Sequence, residues 1–218
     1  MRIRSFVIAY ALVLAILLFA DRRPDPGRQD RYSHIVDLTN AQSSNGLRTA
    51  AASDSQTRII SPAALIPGTW GAGQIPAERL VAPLVVMDLK PSPESTSPIS
   101  LDDIAAWESN HGVVPQGAIV AIRRSSASAP SSNALPISAD AAQFLMDARY
   151  TLGFAIETSA DLTADRTLAR QLALHGNYVV EGTARLTALP QTGSLVIVAP
   201  AKSKNAARAP VRVLAMVR

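Results

Sequence analysis

The chain contains no cysteine. Disulfides, thiolate metal sites and a cysteine-borne lipid anchor are therefore excluded, and cysteine usage says nothing of redox compartment. Histidine is almost as scarce. His34, His111 and His175 are the only three, and no two stand at the H-x-x-x-H spacing that sets paired ligands on one helix face. Aromatic residues make up 5% of the chain and no basic patch is interleaved with them, which argues against a nucleic-acid surface. The formal charge of +4 comes largely from the ends, from Arg2, Arg4, Arg22, Arg23, Arg28 and Arg31 and from Lys202, Lys204, Arg208, Arg212 and Arg218. It reads as flanking charge and a solvated tail loop.

Long apolar runs are lacking too, with one exception. MRIR precedes the uncharged residues 5–20, SFVIAYALVLAILLFA, and DRRPDPGRQDR follows. A basic start and an apolar centre fit a secretory signal. The run is long for a signal yet short of the roughly 18–20 residues of a membrane span, and Leu18 before Ala20 half-meets the small-x-small cleavage rule. Cleaved export and an uncleaved membrane anchor both stay open. Either places the domain outside the cytoplasm, periplasmic or held to the membrane by an N-terminal apolar helix. Pro24, Pro26 and Gly27 then make a linker. The expected organisation is a signal or anchor over 1–20, a linker over 21–31, and one domain over 32–218, long enough for a single core.

Within that domain short strands alternate with helices, an α/β pattern. Residues 34–38 read as a strand and 41–53 as a polar loop. Residues 84–89 are a continuous apolar run between Pro83 and Pro91, which suits a buried strand. Ser100 and Asp103 form a capping box that starts a helix to about Asn110. A strand over 117–122 and a Ser/Ala/Pro-rich surface loop over 123–136 follow. Ser138 caps a helix to about Tyr150, with Ala141, Leu145 and Ala148 on one face and Phe144 beside them. Another helix spans about 165–174 and ends at a left-handed Gly176. Strands over 178–181, 194–198 and 211–217 complete the domain. Gly71 and Gly73 lack the helix and lysine of a phosphate loop and read as a turn. Ser43, Ser44, Ser53, Ser55 and Ser61 supply hydroxyls, but no His–Asp pair is visible to activate one.

Residues 54–70, DSQTRIISPAALIPGTW, have the frame of H-x-G-T-H-x-D-x-P-x-H. In this they resemble the cyclase family, whose best-known members are bacterial kynurenine formamidases. With Thr57 and Pro62 on the motif's Thr and Pro, its histidines fall on Asp54, Arg58 and Ala64, its Asp on Ile60 and its Gly on Gln56. Four more segments resemble the family in order. SHIVDLTN is similar to its opening D-L-T-H strand, with Asn40 at the His. LGFAIETSAD is similar to G-I-D-T-x-S-x-D, with Glu157 at the Asp and Ser159 and Asp161 kept. RTLARQLALHGNYVVEG has Ala169 and Arg170 where a metal-site His stands, and Glu181 at the retained Glu. SLVIVAPAKSKNAARAPVRVLAMV is similar to the terminal strand, substrate-side loop and P-V-R-V-x-A strand. The resemblance implies the swivelling β/β/α fold.

It does not bring the chemistry with it. A catalytic divalent metal is held by several His, Asp or Glu ligands. Arg58 has no lone pair to donate, and Ile60 and Ala64 have none at all. The expectation is a degenerate, non-catalytic cyclase-like protein without metal or other cofactor, acting by ligand binding or by oligomer pairing. Its ligand-binding residues would be Arg58, Trp70 and Glu181, with the Arg58 guanidinium taking a small carboxylate in place of a dication, or else pairing with Asp54. The alternative is a metal-dependent amidohydrolase opening N-formyl or cyclic amides through a rearranged site of Glu181, Asp161, Asp54 and His34, with Glu181 and Asp161 catalytic. The resemblance also implies a homo-oligomer or a pairing with an active paralogue. The apolar strand 211–217 and Ile59-Ile60 would otherwise lie exposed in a lone subunit.

Overall fold

Apolar runs that alternate with capped helices build the centre of the fold. β3 (Val81–Leu89), β4 (Ile119–Arg124), β5 (Gly153–Ile156) and β6 (Tyr178–Glu181) are parallel neighbours. Parallel strands need long crossovers, and α1 (Leu101–His111), α2 (Ala139–Arg149) and α3 (Arg166–Leu174) supply them. β1 (His34–Asp37), β2 (Arg58–Ile60), β7 (Ser194–Pro200) and β8 (Arg208–Val217) are antiparallel to their neighbours. β2 joins β6 to β8 and β7 joins β3 to β8, so seven strands close into a barrel with β1 outside it on β8. The structure, a computed structural model, describes residues 32–40, 56–89, 98–124, 134–203 and 205–218. The expected N-terminal apolar helix and linker, the loop over 41–53, Asp54 and most of the serine-rich loop lie outside them. Among the described residues no helix is long and apolar enough to cross a membrane.

Successive strand residues face opposite ways, and the barrel has an apolar layer on each side. Leu84, Val86, Ile119, Ala121, Tyr178 and Val180 fill the interior with residues of β7 and β8. Val85, Met87, Val120, Ile122, Phe154 and Val179 face outward against Ile104, Trp107, Leu145 and Leu172 of the helices. This double burial explains why β3 reads as a continuous apolar run rather than an alternating one.

Local capping sets the helix starts. Ser100 Oγ accepts from Asp103 N while Asp103 Oδ2 accepts from Ser100 N at 3.0 Å. Ser138 Oγ accepts from Ala141 N at 3.2 Å, and Asp165 Oδ1 from the amides of Thr167 and Leu168. Gly176, with φ of 66°, ends the turn after α3.

Several expectations are corrected. β3 starts at Val81 and includes Pro83. Residues 81–84 pair with β7 and 84–89 with β4, so the proline lies in the part of the strand that pairs with β7 alone, where no second ladder requires its N–H. β4 runs from Ile119 to Arg124 rather than over 117–122, because Gly117 is in a turn with φ of 71°. The buried face of α2 is Ala141, Ala142, Leu145 and Met146, with Ala148 only half-buried. Nor are Ile59-Ile60 and strand 211–217 open in a single subunit. Ile59 and Ile60 are 0% and 1% exposed, and β8 is paired along both edges, so barrel closure removes the exposed-edge argument for an oligomer.

Gly153 opens β5 opposite Tyr178, and a Cβ there would meet the Tyr178 carbonyl oxygen at 2.6 Å. Backbone cannot yield as a flexible side chain does. Gly153→Ala is expected to destabilise the domain by about 1–3 kcal/mol. The expected signature is a lower urea midpoint with the slope unchanged.

Candidate functional site

The register of β2 against its neighbours sets the frame of the site. Arg58 lies opposite Glu181 of β6 and Pro210 of β8, and Ile60 lies opposite Val179 and Arg208. Residues two apart share a face, so Arg58, Ile60, Glu181 and Arg208 belong to one outer face of the barrel. Ile60 and Val179 are covered there by the helix-side core. Arg58, Glu181 and Arg208 stand at its rim.

Glu181 is 3% exposed. Burying a carboxylate is costly unless donors compensate it, and each of its oxygens has one. Oε2 accepts from Ala160 N at 2.9 Å and from Ser159 Oγ at 3.4 Å, while Oε1 faces Arg208 Nη1 at 3.4 Å. Arg208 Nη2 also donates to the Ala160 carbonyl at 3.4 Å. A guanidinium thus lies beside the retained Glu. Arg208 was read from the sequence as part of a solvated tail. Its position two residues before Pro210 in a period-two strand was the available signal, but only with the β2 register known.

Asp161 is exposed and turned to local work. Its Oδ1 accepts from Thr163 N at 2.9 Å and Thr163 Oγ1 at 2.6 Å. Those bonds, with a smaller contribution from the Arg208 charge, hold its carboxyl below the usual carboxylate range. A depressed pKa makes a poor general base near neutral pH. Glu157 acts elsewhere. Its charge favours the ionised Arg123, whose Nη2 donates to Asp88 at 2.8 Å.

Trp70 is not part of this face. Its carbonyl accepts from Ala63 N at 3.0 Å, its ring lies 5.6 Å from the Arg79 guanidinium carbon, and a Cβ on Gly176 would meet it at 2.9 Å. Arg79 in turn accepts at its carbonyl from the Tyr178 hydroxyl at 2.7 Å. Trp70 therefore stands by the start of β6, whereas Glu181 ends that strand. The histidines are equally dispersed. His34 is in β1, His111 stacks on Trp107 at 4.8 Å, and His175 pairs with Asp147 at 2.9 Å.

A divalent metal does not fit these residues. Among the described residues no three His, Asp or Glu side chains converge. At the motif positions stand a cation (Arg58), a buried hydrocarbon (Ile60) and an exposed methyl in the turn Pro62–Ala64 (Ala64). The motif's other positions hold the backbone together. Thr57 Oγ1 donates to the Gly182 carbonyl at 2.6 Å and accepts from Asn40 N at 2.7 Å. Ser61 Oγ donates to the Ala207 carbonyl at 2.9 Å, tying the end of β2 to the approach of β8. Gly71 and Gly73 make a tight turn in which a Cβ on Gly73 would strike the Ser203 backbone at 2.5 Å.

Thr57 is 1% exposed, so replacing its hydroxyl by a methyl strands the buried Gly182 carbonyl and the part-buried Asn40 amide. Thr57→Val is expected to cost about 1–3 kcal/mol. Thr57→Ser, which keeps the hydroxyl, is expected to cost clearly less in the same denaturant titration.

Comparison with known proteins agrees with this architecture. A family profile described as "Putative cyclase" matches residues 27–161, more than half of the chain. An isatin hydrolase A from Labrenzia aggregata, solved bound to benzyl benzoate, is 26% identical with a TM-score of 0.68, over 84% of this chain and 93% of that one. An isatin hydrolase A from Ralstonia solanacearum is 22% identical with a TM-score of 0.67, over 96% and 97%. A structure described as a potential metal-dependent hydrolase with cyclase activity is 22% identical with a TM-score of 0.65, over 85% and 98%. The last two likenesses concern the fold alone. Among curated proteins no sequence matches. The segments around Thr57, Ser159 and Glu181, the closed barrel that joins them and the profile match together place this chain in the cyclase family.

Proposed function

We propose that this protein is a non-catalytic member of the cyclase family that acts by binding rather than by metal-assisted hydrolysis. The Arg208–Glu181 pair supports this most directly, since a guanidinium 3.4 Å from the buried carboxylate supplies the positive charge that a dication would bring. A dication placed on Glu181 would be repelled by that guanidinium, with Arg58 opposite on the neighbouring strand. Ile60 adds hydrocarbon where a ligand would be needed. The apolar run over residues 5–20 supports action outside the cytoplasm, after cleavage or held at a membrane. A homo-oligomer, or a complex with an active relative, remains the partner this reading favours. It would have to form through surfaces other than β2 and β8.

The full chain, purified without chelator, is expected to hold no stoichiometric zinc, manganese or iron by elemental analysis. It is also expected to leave isatin and N-formylkynurenine unhydrolysed when those metals are added. One tightly held transition metal per chain, together with turnover of either amide, would replace this reading with that of a hydrolase.

A further inference from the structure

The ladder along β8 changes partner on one edge. β2 pairs with residues 208–210 and β1 with residues 214–217. Between them, among the described residues, β8 is met on that edge by single groups, one of them Leu38 N, which donates to the Val213 carbonyl at 2.9 Å. The Thr57 carbonyl accepts from Val211 N at 3.3 Å and Thr39 Oγ1 accepts from Val213 N at 3.0 Å. Where the two strands part, a cavity of about 450 Å³ opens, lined among others by Asn40, Gln56, Thr57, Pro200, Pro210 and Arg212. Glu181, Arg58 and Arg208 do not line it.

Its polar groups are of two kinds. The Thr39 and Thr57 hydroxyls are occupied by backbone partners. The carboxamides of Asn40 and Gln56 are half-buried and make no hydrogen bond among the described residues. Arg212 has Asp37 Oδ2 at 3.1 Å, with the two side chains 68% and 40% exposed. Such an exposed pair contributes little, so the guanidinium can exchange that partner for another anion. Among the described residues no acidic side chain lines the cavity. Three residues with donor side chains, one of them cationic, thus line a space that two prolines and Val211 also border.

We propose that this cavity is a binding site for a small organic carboxylate. The Arg212 guanidinium takes the carboxylate, the Asn40 and Gln56 amides add donors, and Pro200, Pro210 and Val211 flank an apolar body. This goes beyond the non-catalytic reading and does not depend on it. A carboxylate is better placed here than at Arg58, which stands across from the buried Glu181 charge.

Isothermal titration of the full chain with phenylacetate tests the site, with phenylacetamide as the uncharged probe. The expected result is saturable one-site binding of phenylacetate, at least about tenfold tighter than phenylacetamide, as for loss of a charge-assisted contact. Arg212→Gln should remove that preference, and Ala201→Trp, at the cavity wall, should abolish binding of both probes. Thermal melts matching wild type would show that both variants are folded. Absence of phenylacetate binding by the wild-type chain, or equal binding by Arg212→Gln, overturns the proposal. So does loss of binding in Arg58→Ala with Arg212→Gln unaffected, which moves the ligand to the rim. Metal content and amide turnover of the same preparation report on the catalytic question separately.

Discussion

β8 meets β2 and β1 on one edge and β7 on the other, and the barrel exists because one ten-residue strand can do both. An open sheet of this size would leave two rows of unpaired backbone groups, which natural sheets must cover or blunt. Closure removes them within one chain. The same strand carries Arg208 to the end of β6, and its change of partner between residues 210 and 214 leaves the cavity beside Asn40 and Gln56. The surroundings of Glu181 and the proposed carboxylate site are thus both consequences of how one strand divides its hydrogen bonds.

The carboxylate of Glu181 shows what a buried charge demands of its surroundings. Glu181 is buried, and a buried carboxylate without a counter-charge is strongly destabilising. The Ala160 amide, the Ser159 hydroxyl and the Arg208 guanidinium meet that need from protein groups alone. Two positions from Arg58, Ile60 belongs to the apolar layer under the helices. These are the features on which the proposed binding role rests.

Thr57 explains why the frame of the motif is readable in the sequence. Its hydroxyl links three separate chain segments, at Asn40, at Gly182 and at the approach to β2. Gly182 takes φ of 67° and has the Gln56 carbonyl 2.7 Å from where a Cβ would lie, so the three segments cannot readily be spaced differently. A hydroxyl in that position is required by the backbone whatever the adjacent residues do. It is the architectural part of the frame, not its metal-binding part, that the sequence resemblance detected.

What the sequence determined by itself were the features governed by near neighbours. The starts of α1, α2 and α3 follow from Ser100 with Asp103, from Ser138 and from Asp165, each bonding amides two or three residues away. Apolar runs showed where buried strands lie, and five ordered segments pointed to the family. The tertiary structure alone decided that Arg208 partners Glu181 across 27 positions, that Trp70 stands at the other end of β6 from Arg58, and that β8 is an enclosed strand. Those outcomes depend on strand register and ring closure. A shift of one residue turns every side chain of a strand to the opposite face, and nothing within a few residues of Arg208 specifies which pairing the closed barrel selects.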